Sequence, residues 1–265
     1  MPLKGVVLAG GNGSRLFPLT LVTNKHLLPL YDRPMIFYPL AALKEMGCRE
    51  VMVVVGGRSV GDILELIHDG SEVGLDLTYR YQRGALGIAH AIGLTRNFAG
   101  TDPIAVVLGD NVLRGSLAGF AASFEAGNAE AGAVLKRVPD PQRFGVTELD
   151  PDGRIVGFEE KPENPKSDLI PIGVYFFRPS VFEVIQSLRP SARGEFEITD
   201  LLNHYLREGS LAHTVFEGDW MDAGTIEALL HSSTFAAQFA PEPLQTAQGV
   251  EAVEAEDVDP ASVSP

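Results

Sequence analysis

Cysteine is almost absent. Cys48 is the only one in 265 residues, which excludes a disulfide framework and a cysteine-based zinc site. Positive charge is short as well: lysine and arginine number 21 against 35 acidic residues, a net charge of −14. A nucleic-acid-binding protein would carry a basic patch or stripe, so no nucleic-acid partner is expected. Long apolar runs are also missing. The stretch after Met-Pro-Leu-Lys-Gly is too short for a signal peptide or a membrane span. The expectation is a reduced, cytoplasmic protein with no membrane partner, and a homo-oligomer is compatible with it. Internal repeats and the hexapeptide pattern of a β-helix are absent. What is present is length: a chain of this size buries roughly three quarters of its unfolded surface and needs no staple.

The acidity is uneven. Residues 241–265 hold six acidic residues (Glu242, Glu251, Glu254, Glu256, Asp257 and Asp259), no basic residue and no aromatic one. Such a composition cannot bury enough apolar surface to offset the entropy of ordering, so a disordered tail is expected there. The body, 1–240, is expected to be one domain, whose pattern changes at about residue 130.

In the first half, apolar runs at 4–9, 50–55, 76–81 and 103–108 predict strands buried on both faces. Helical spacing at 34–46, 60–68 and 86–98 alternates with them, and Pro39 either kinks the first helix or marks the start of its regular part. This alternation argues a mostly parallel α/β sheet flanked by helices. From Gly132 the pattern turns β-rich, with strands at 132–138, 144–149, 154–160 and 171–177 and a hairpin turn at Asp150-Pro-Asp-Gly153. Helices at 180–188 and 197–208, a strand at 211–216 and a helix at 225–239 complete the body.

The first strand runs into Leu8-Ala-Gly-Gly-Asn-Gly-Ser-Arg-Leu-Phe-Pro18. A glycine-rich turn at the end of a parallel strand lets backbone N–H groups approach a phosphate, though strand–Gly–helix turns are also common punctuation. The dinucleotide fingerprint fails, because Leu16 stands where its third glycine belongs and the second predicted strand ends in Val55-Gly-Gly rather than an acidic residue. The P-loop fails for want of Gly-Lys-Ser/Thr. The loop instead offers Arg15, with Lys25 ten residues on, and two cations beside a phosphate cradle suit a polyphosphate better than a nicotinamide cofactor. Asp110, in Val106-Val-Leu-Gly-Asp110-Asn111, falls at a strand's C-terminal end, where α/β sheets bind ligands; alone it reads better as a turn residue. Asp222, in Trp220-Met-Asp-Ala-Gly224, is a second candidate. Two carboxylates suffice for Mg²⁺ when substrate phosphates supply the rest. Lys161 and Arg193 read equally as surface cations or as grips for the phosphate of a second substrate, with Glu160 then accepting hydrogen bonds from sugar hydroxyls.

Seven motifs occur in order: Leu-Ala-Gly-Gly-x-Gly-Ser-Arg-Leu-x-Pro-Leu-Thr, Asn-Lys-His-Leu-Leu-Pro, Pro-Met-Ile-x-Tyr-Pro, Leu-Gly-Asp-Asn, Arg-Phe-Gly-Val, Glu-Glu-Lys-Pro and Ser-Ala-Arg-Gly-Glu-x-Glu-Ile-Thr-Asp. Together they resemble the sugar-1-phosphate nucleotidyltransferases, closest to the glucose-1-phosphate thymidylyltransferases, from about Lys4 to about Phe235. The resemblance implies a Rossmann-like, nucleotide-diphospho-sugar transferase fold with an inserted β-rich sugar-binding part, the nucleotide-binding part over about 1–130 and the sugar-phosphate-binding part over about 131–224. It implies transfer of a nucleotidyl group from dTTP to glucose-1-phosphate, with UTP the alternative base. It implies that Leu8, Gly10, Gly11, Gly13, Ser14 and Arg15 wrap the triphosphate, that Arg15 and Lys25 neutralise it, and that Asp110 and Asp222 hold Mg²⁺. Gln82 and Gly87 keep the family's spacing in the segment that reads the pyrimidine edge. Asn111, Gly145, Glu160, Lys161, Tyr175 and Arg193 align with the sugar-phosphate site. Three departures bear on specificity: Ala85 where relatives often have Pro, Phe144 where many have Tyr, and Ala223 where Thr is usual. The segment after 240 does not resemble the C-terminal helices of longer members, in which that region helps form a feedback site. Two further readings are a non-catalytic nucleotide-sugar sensor, which should have lost Arg15, Lys25, Asp110 or Asp222, and a Rossmann dehydrogenase. His26, His90, Cys48 and Trp220 read as packing or structural support.

Overall fold

The computed structural model describes residues 2–239; the expected acidic tail lies outside them. Seven strands form the main sheet: β1 (Lys4–Ala9), β2 (Glu50–Val55), β3 (Asp76–Tyr81), β4 (Ile104–Leu108), β5 (Ala131–Arg137), β6 (Leu169–Phe177) and β7 (Leu211–Val215). Their order across the sheet is β7-β5-β6-β4-β1-β2-β3. Every neighbouring pair is parallel except the two made by β6, which runs antiparallel to β4 and β5.

The apolar runs form central strands because both faces are covered. Along β1, Val7 and Ala9 join one buried cluster, and Val6 and Leu8 join another. The first cluster takes in Leu40 and Leu43 from helix α1 (Phe37–Glu45), Ile63 and Ile67 from α2 (Val60–Ile67) and Phe124 from α5 (Ala118–Ala126). The second takes in Ala89 and Ile92 from α3 (Ile88–Gly93), Phe182 from α6 (Val181–Ser187) and Leu201, Leu202 and Tyr205 from α7 (Ile198–Arg207). A third, smaller cluster sets Ala236 of α8 (Ile226–Ala236) with Leu30, Met35, Tyr38, Val112 and Ala223. Among the described residues no helix is long and apolar enough to cross a membrane.

Three local outcomes differ from the sequence reading. The helix expected over 86–98 is two short ones, α3 and α4 (Arg96–Ala99). Buried Thr95 turns its hydroxyl back to the Ile92 carbonyl at 2.7 Å, which competes with a continuous helix. Helix α5 had no expected counterpart, because its Ala-Gly-Phe-Ala-Ala-Ser-Phe-Glu-Ala sequence carries little apolar periodicity. An unexpected ribbon of Asn111–Arg114 with Asp219–Asp222 stands off the main sheet, which β5, β6 and β7 extend, and so does the hairpin of Gly145–Leu149 with Ile155–Glu160. Its turn is the expected one, with Asp150 Oδ1 accepting from the N–H groups of Asp152 and Arg154. Pro39 marks the start of α1's regular part, since it sits in the first turn, where its missing N–H breaks no helical bond.

Candidate active site

The loops at the C-terminal ends of β1, β3 and β4 meet at one rim, as a parallel sheet dictates. They line a cleft of about 620 Å³. All nine residues expected around the nucleotide face it: Leu8 within β1, Gly10, Gly11, Gly13, Ser14 and Arg15 after it, Gln82 and Gly87 after β3, and Asp110 after β4. A Cβ on Gly10 would lie 2.4 Å from Gln82 Oε1, so a side chain there would displace that amide. Gln82 Nε2 lies 3.3 Å from the Gly87 carbonyl and 3.0 Å from His90 Nδ1, so the amide donates on that side and its oxygen is left toward the glycine loop. Gly87 has a structural reason of its own. At φ +95° its Cβ would fall 2.5 Å from the Phe196 carbonyl oxygen, and the flanking backbone pairs with that segment through Phe196 N–H to Leu86 O and Ala89 N–H to Phe196 O.

Lys25 reaches the cleft from a single 3₁₀ turn (Lys25–Leu27) capped by Asn24. Its Nζ lies 2.6 Å from Asp110 Oδ2. Burial alone would raise the Asp110 pKa, but the charge and hydrogen bond of Lys25 prevail and hold it well below the ordinary carboxylate range. Asn24 is buried and saturated: its Oδ1 accepts from the His26 N–H and from Nδ1, and its Nδ2 donates to the carbonyls of Gly56 and Arg58. The His26 ring is wholly buried against Gly109, where a Cβ would meet Nε2 at 2.6 Å. Burial, and then the charge of Lys25, lower its pKa to about 3. The sequence reading of His26 as support agrees with this placement.

Asp222 arrives on a two-stranded ribbon. Asp219–Asp222 pairs antiparallel with Asn111–Arg114, which puts Asp222 opposite Asn111, and the Ala223 N–H bonds the Asp110 carbonyl. Burial and then the Asp110 charge push the Asp222 carboxyl upward, against the pull of Arg15 and Lys25. Arg15 approaches closely enough that a Cβ on Gly224 would lie 2.9 Å from its Nη2. Asp110 is buried and Asp222 half-buried, and these two carboxylates, whose charges oppose each other, are the residues that could hold a divalent cation. Among the described residues no group of three or more His, Cys, Asp or Glu side chains is placed to hold a metal.

A second compartment of about 160 Å³ opens from the cleft and is lined by Asn111, Gly145, Glu160, Lys161 and Tyr175. Asn111 is held by its Nδ2 donating to the Ile172 carbonyl at 2.6 Å and its Oδ1 accepting from Trp220 Nε1. Trp220 packs edge-on against Phe144, 5.5 Å between centroids, and itself lines the compartment. Burial first, with Glu197 adding, raises the Glu160 pKa despite its cationic neighbours; burial raises that of Tyr175. Lys161 faces both cavities from a backbone at φ +45°. Arg193 lines neither. It lies behind Glu160 at 3.1 Å and pairs with Glu197 at 2.8 Å and Glu195 at 3.5 Å. Conversely, Arg143 and Glu195 face the cleft, and Arg143 faces both cavities, although the sequence reading gave neither a role. Arg143 opens the Arg-Phe-Gly-Val motif and Glu195 sits inside the last motif, so motif membership was the available signal.

Residues 4–238 match the family described as "Nucleotidyl transferase". The chain is 40% identical over 232 residues to the low-salt glycan biosynthesis nucleotidyltransferase of Haloferax volcanii, covering 87% of this chain and 65% of that one. It is 41% identical over 230 residues to the glucose-1-phosphate thymidylyltransferase of Streptomyces antibioticus, covering 86% and 64%. It thus spans a little under two thirds of the length of these relatives. A Bacillus anthracis crystal structure in complex with sucrose, provisionally described as a glucose-1-phosphate thymidylyltransferase, superposes with a TM-score of 0.84 at 42% identity, covering 88% of this chain and 95% of that one.

Proposed function

The chain belongs to the nucleotidyl transferase family, and we propose that it transfers a nucleotidyl group from a nucleoside triphosphate, dTTP foremost, to a sugar-1-phosphate, glucose-1-phosphate foremost. The observation that carries this reading is the joining of two cavities over one carboxylate pair. The larger has the glycine loop, Arg15 and Lys25, the smaller has Asn111, Glu160, Lys161 and Tyr175, and Asp110 and Asp222 face the smaller together.

A sugar-1-phosphate is already an anionic nucleophile, so no base is needed. One of its phosphate oxygens attacks the α-phosphorus. The bond from that phosphorus to the bridging oxygen breaks, its electron pair leaves on pyrophosphate, and no proton moves. The protein's task is to hold two anions in line and offset the charge. Arg15 and Lys25 neutralise the triphosphate, and the N–H groups of the glycine loop cradle it. Gln82 Oε1 accepts the N3–H of a pyrimidine, because its own nitrogen is engaged by Gly87 and His90. Lys161 and Arg143 face the junction and grip the second phosphate, while Glu160 accepts from sugar hydroxyls. Arg193 acts through Glu160 as a positioning residue. Asp110 and Asp222 would hold Mg²⁺, which when bound supplies positive charge to the phosphate oxygens.

The preference for dTTP over UTP rests on the thymidylyltransferase relatives, since a single methyl group is worth only about 1 kcal/mol. Pyrophosphate release with glucose-1-phosphate and each of dTTP, UTP, CTP, ATP and GTP, with and without Mg²⁺, tests the whole reading. Release with dTTP and Mg²⁺ is expected. Release confined to another base or sugar replaces the substrate and keeps the class, and no release with any pair points to a sensor.

A further inference from the structure

Behind the glycine loop lies a third cavity, about 150 Å³, lined among others by Gly11, Asn12, Thr23, Lys25, Gly57 and Arg58. It adjoins the nucleotide cleft, since Gly11 and Lys25 line both. It shares no lining residue with the sugar-phosphate compartment, which opens from the same cleft. The large cleft therefore borders both small ones, which share no lining residue with each other.

The cavity is firmly built. Asn24 Nδ2 donates to Gly56 O at 3.1 Å and Arg58 O at 3.2 Å, which locks the loop after β2 to the turn that carries Lys25. Its charge is unlike that of the chain as a whole. The protein carries −14, yet two cations and no carboxylate line this space. Arg58 donates through Nη1 to the Leu21 carbonyl at 3.3 Å, and among the described residues no carboxylate pairs with it. The cavity is too small for a nucleoside and suits a phosphate group. A guanidinium offers a planar fork of donors that matches phosphate oxygens.

We propose that this cavity receives the terminal phosphates of the triphosphate and, in the reverse direction, inorganic pyrophosphate, with Arg58 in direct contact with them. The proposal rests on the nucleotidyl-transfer reading. In-line displacement needs nucleophile and leaving group on opposite sides of the α-phosphorus. If the acceptor phosphate enters from the Lys161 side, the electron pair released from the broken bond lands on the side of Gly11, Lys25 and Arg58. A cation at the far end of that path stabilises charge where it accumulates.

The test uses the full chain in the reverse direction, with the nucleotide sugar and pyrophosphate as substrates. Arg58→Ala is expected to raise the KM for pyrophosphate on the order of tenfold or more, as befits loss of a charge-assisted hydrogen bond. The KM for the nucleotide sugar should stay within about twofold, and Arg58→Lys should recover part of the loss. Arg58 is exposed, so both variants should fold, which circular dichroism verifies. An unchanged pyrophosphate KM in Arg58→Ala overturns the proposal. Calorimetric titration with pyrophosphate alone and with orthophosphate alone gives a readout independent of turnover. Pyrophosphate binding lost in Arg58→Ala supports the site, even if no triphosphate and sugar-1-phosphate pair reacts and the broader reading falls. Orthophosphate binding that depends on Arg58 while pyrophosphate binding does not would make this a separate phosphate site and overturn the assignment.

Discussion

Arg15 and Asp110 stand on opposite sides of the charge balance in the cleft. Arg15 pulls against the rise of the Asp222 pKa, and Asp110 drives that rise while pairing with Lys25. Arg15→Ala and Asp110→Ala are each expected to cut turnover by orders of magnitude with the fold retained, measured as pyrophosphate release beside a thermal unfolding curve; wild-type-like release from either would sink the assignment. His26 makes a different prediction. Its pKa is about 3 in the fold and about 6.5 when unfolded, so between those values the unfolded chain binds the extra proton and stability rises with pH. The contribution is complete above about pH 6.5 and drains away toward pH 3, at about 1.4 kcal/mol per pH unit. Between pH 7 and pH 5, the wild type should lose about 2 kcal/mol more than His26→Gln in urea titrations, and equal losses would show that this imidazole does not carry the acid sensitivity.

At the scale of elements, the strands and helices with strong periodicity were legible in advance. β1, β2 and β3 have the expected bounds, and α7 and the hairpin around Asp150 lie within one or two residues of theirs. What escaped were elements made by their neighbours. The ribbon of Asn111–Arg114 with Asp219–Asp222 is four residues on each side, too short for any pattern, yet it is what brings Asp222 to Asp110. The break after α3 rests on one hydroxyl of Thr95. Gly87 gives this scale its prediction, since it lets the start of α3 lie against the backbone of Phe196. Gly87→Ala forces a Cβ onto that backbone at a φ of +95° and should destabilise by ~1–3 kcal/mol. Urea midpoints, compared with nucleotide binding, would show the loss falling on both; an unchanged midpoint would mean that the two segments can part freely.

For the whole molecule, charge is the organising quantity. Of the excess of fourteen negative charges, six belong to residues 241–265, which leaves −8 on the body. Both proposed substrates are anions, so binding depends on a local gathering of cations against an unfavourable surrounding field. Arg15, Lys25, Arg143 and Lys161 all face the central cleft. Such a local field is screened by salt while the net repulsion weakens too. Because the cations are close to the ligand and the acids are dispersed, the attraction should dominate. The KM for the triphosphate is expected to rise with sodium chloride from low to physiological strength, in steady-state assays at fixed Mg²⁺. A falling KM would mean that the acidic surface controls approach.

Taken alone, the sequence determined the layered α/β architecture and the position of the glycine loop at the rim of the sheet, because both are written in local order, an apolar period and a glycine run; Gln82 and Gly87 came to notice only through the resemblance. Tertiary structure alone decided which charges face the substrates. Arg193 carries a cation in a matching motif, yet three carboxylates brought from 160, 195 and 197 draw it behind Glu160. Arg58 lies in no motif, yet the Asn24 hydrogen bonds set its loop beside Lys25. A side chain's charge is a property of its residue type, but where that charge points depends on which distant partners the fold sets beside it.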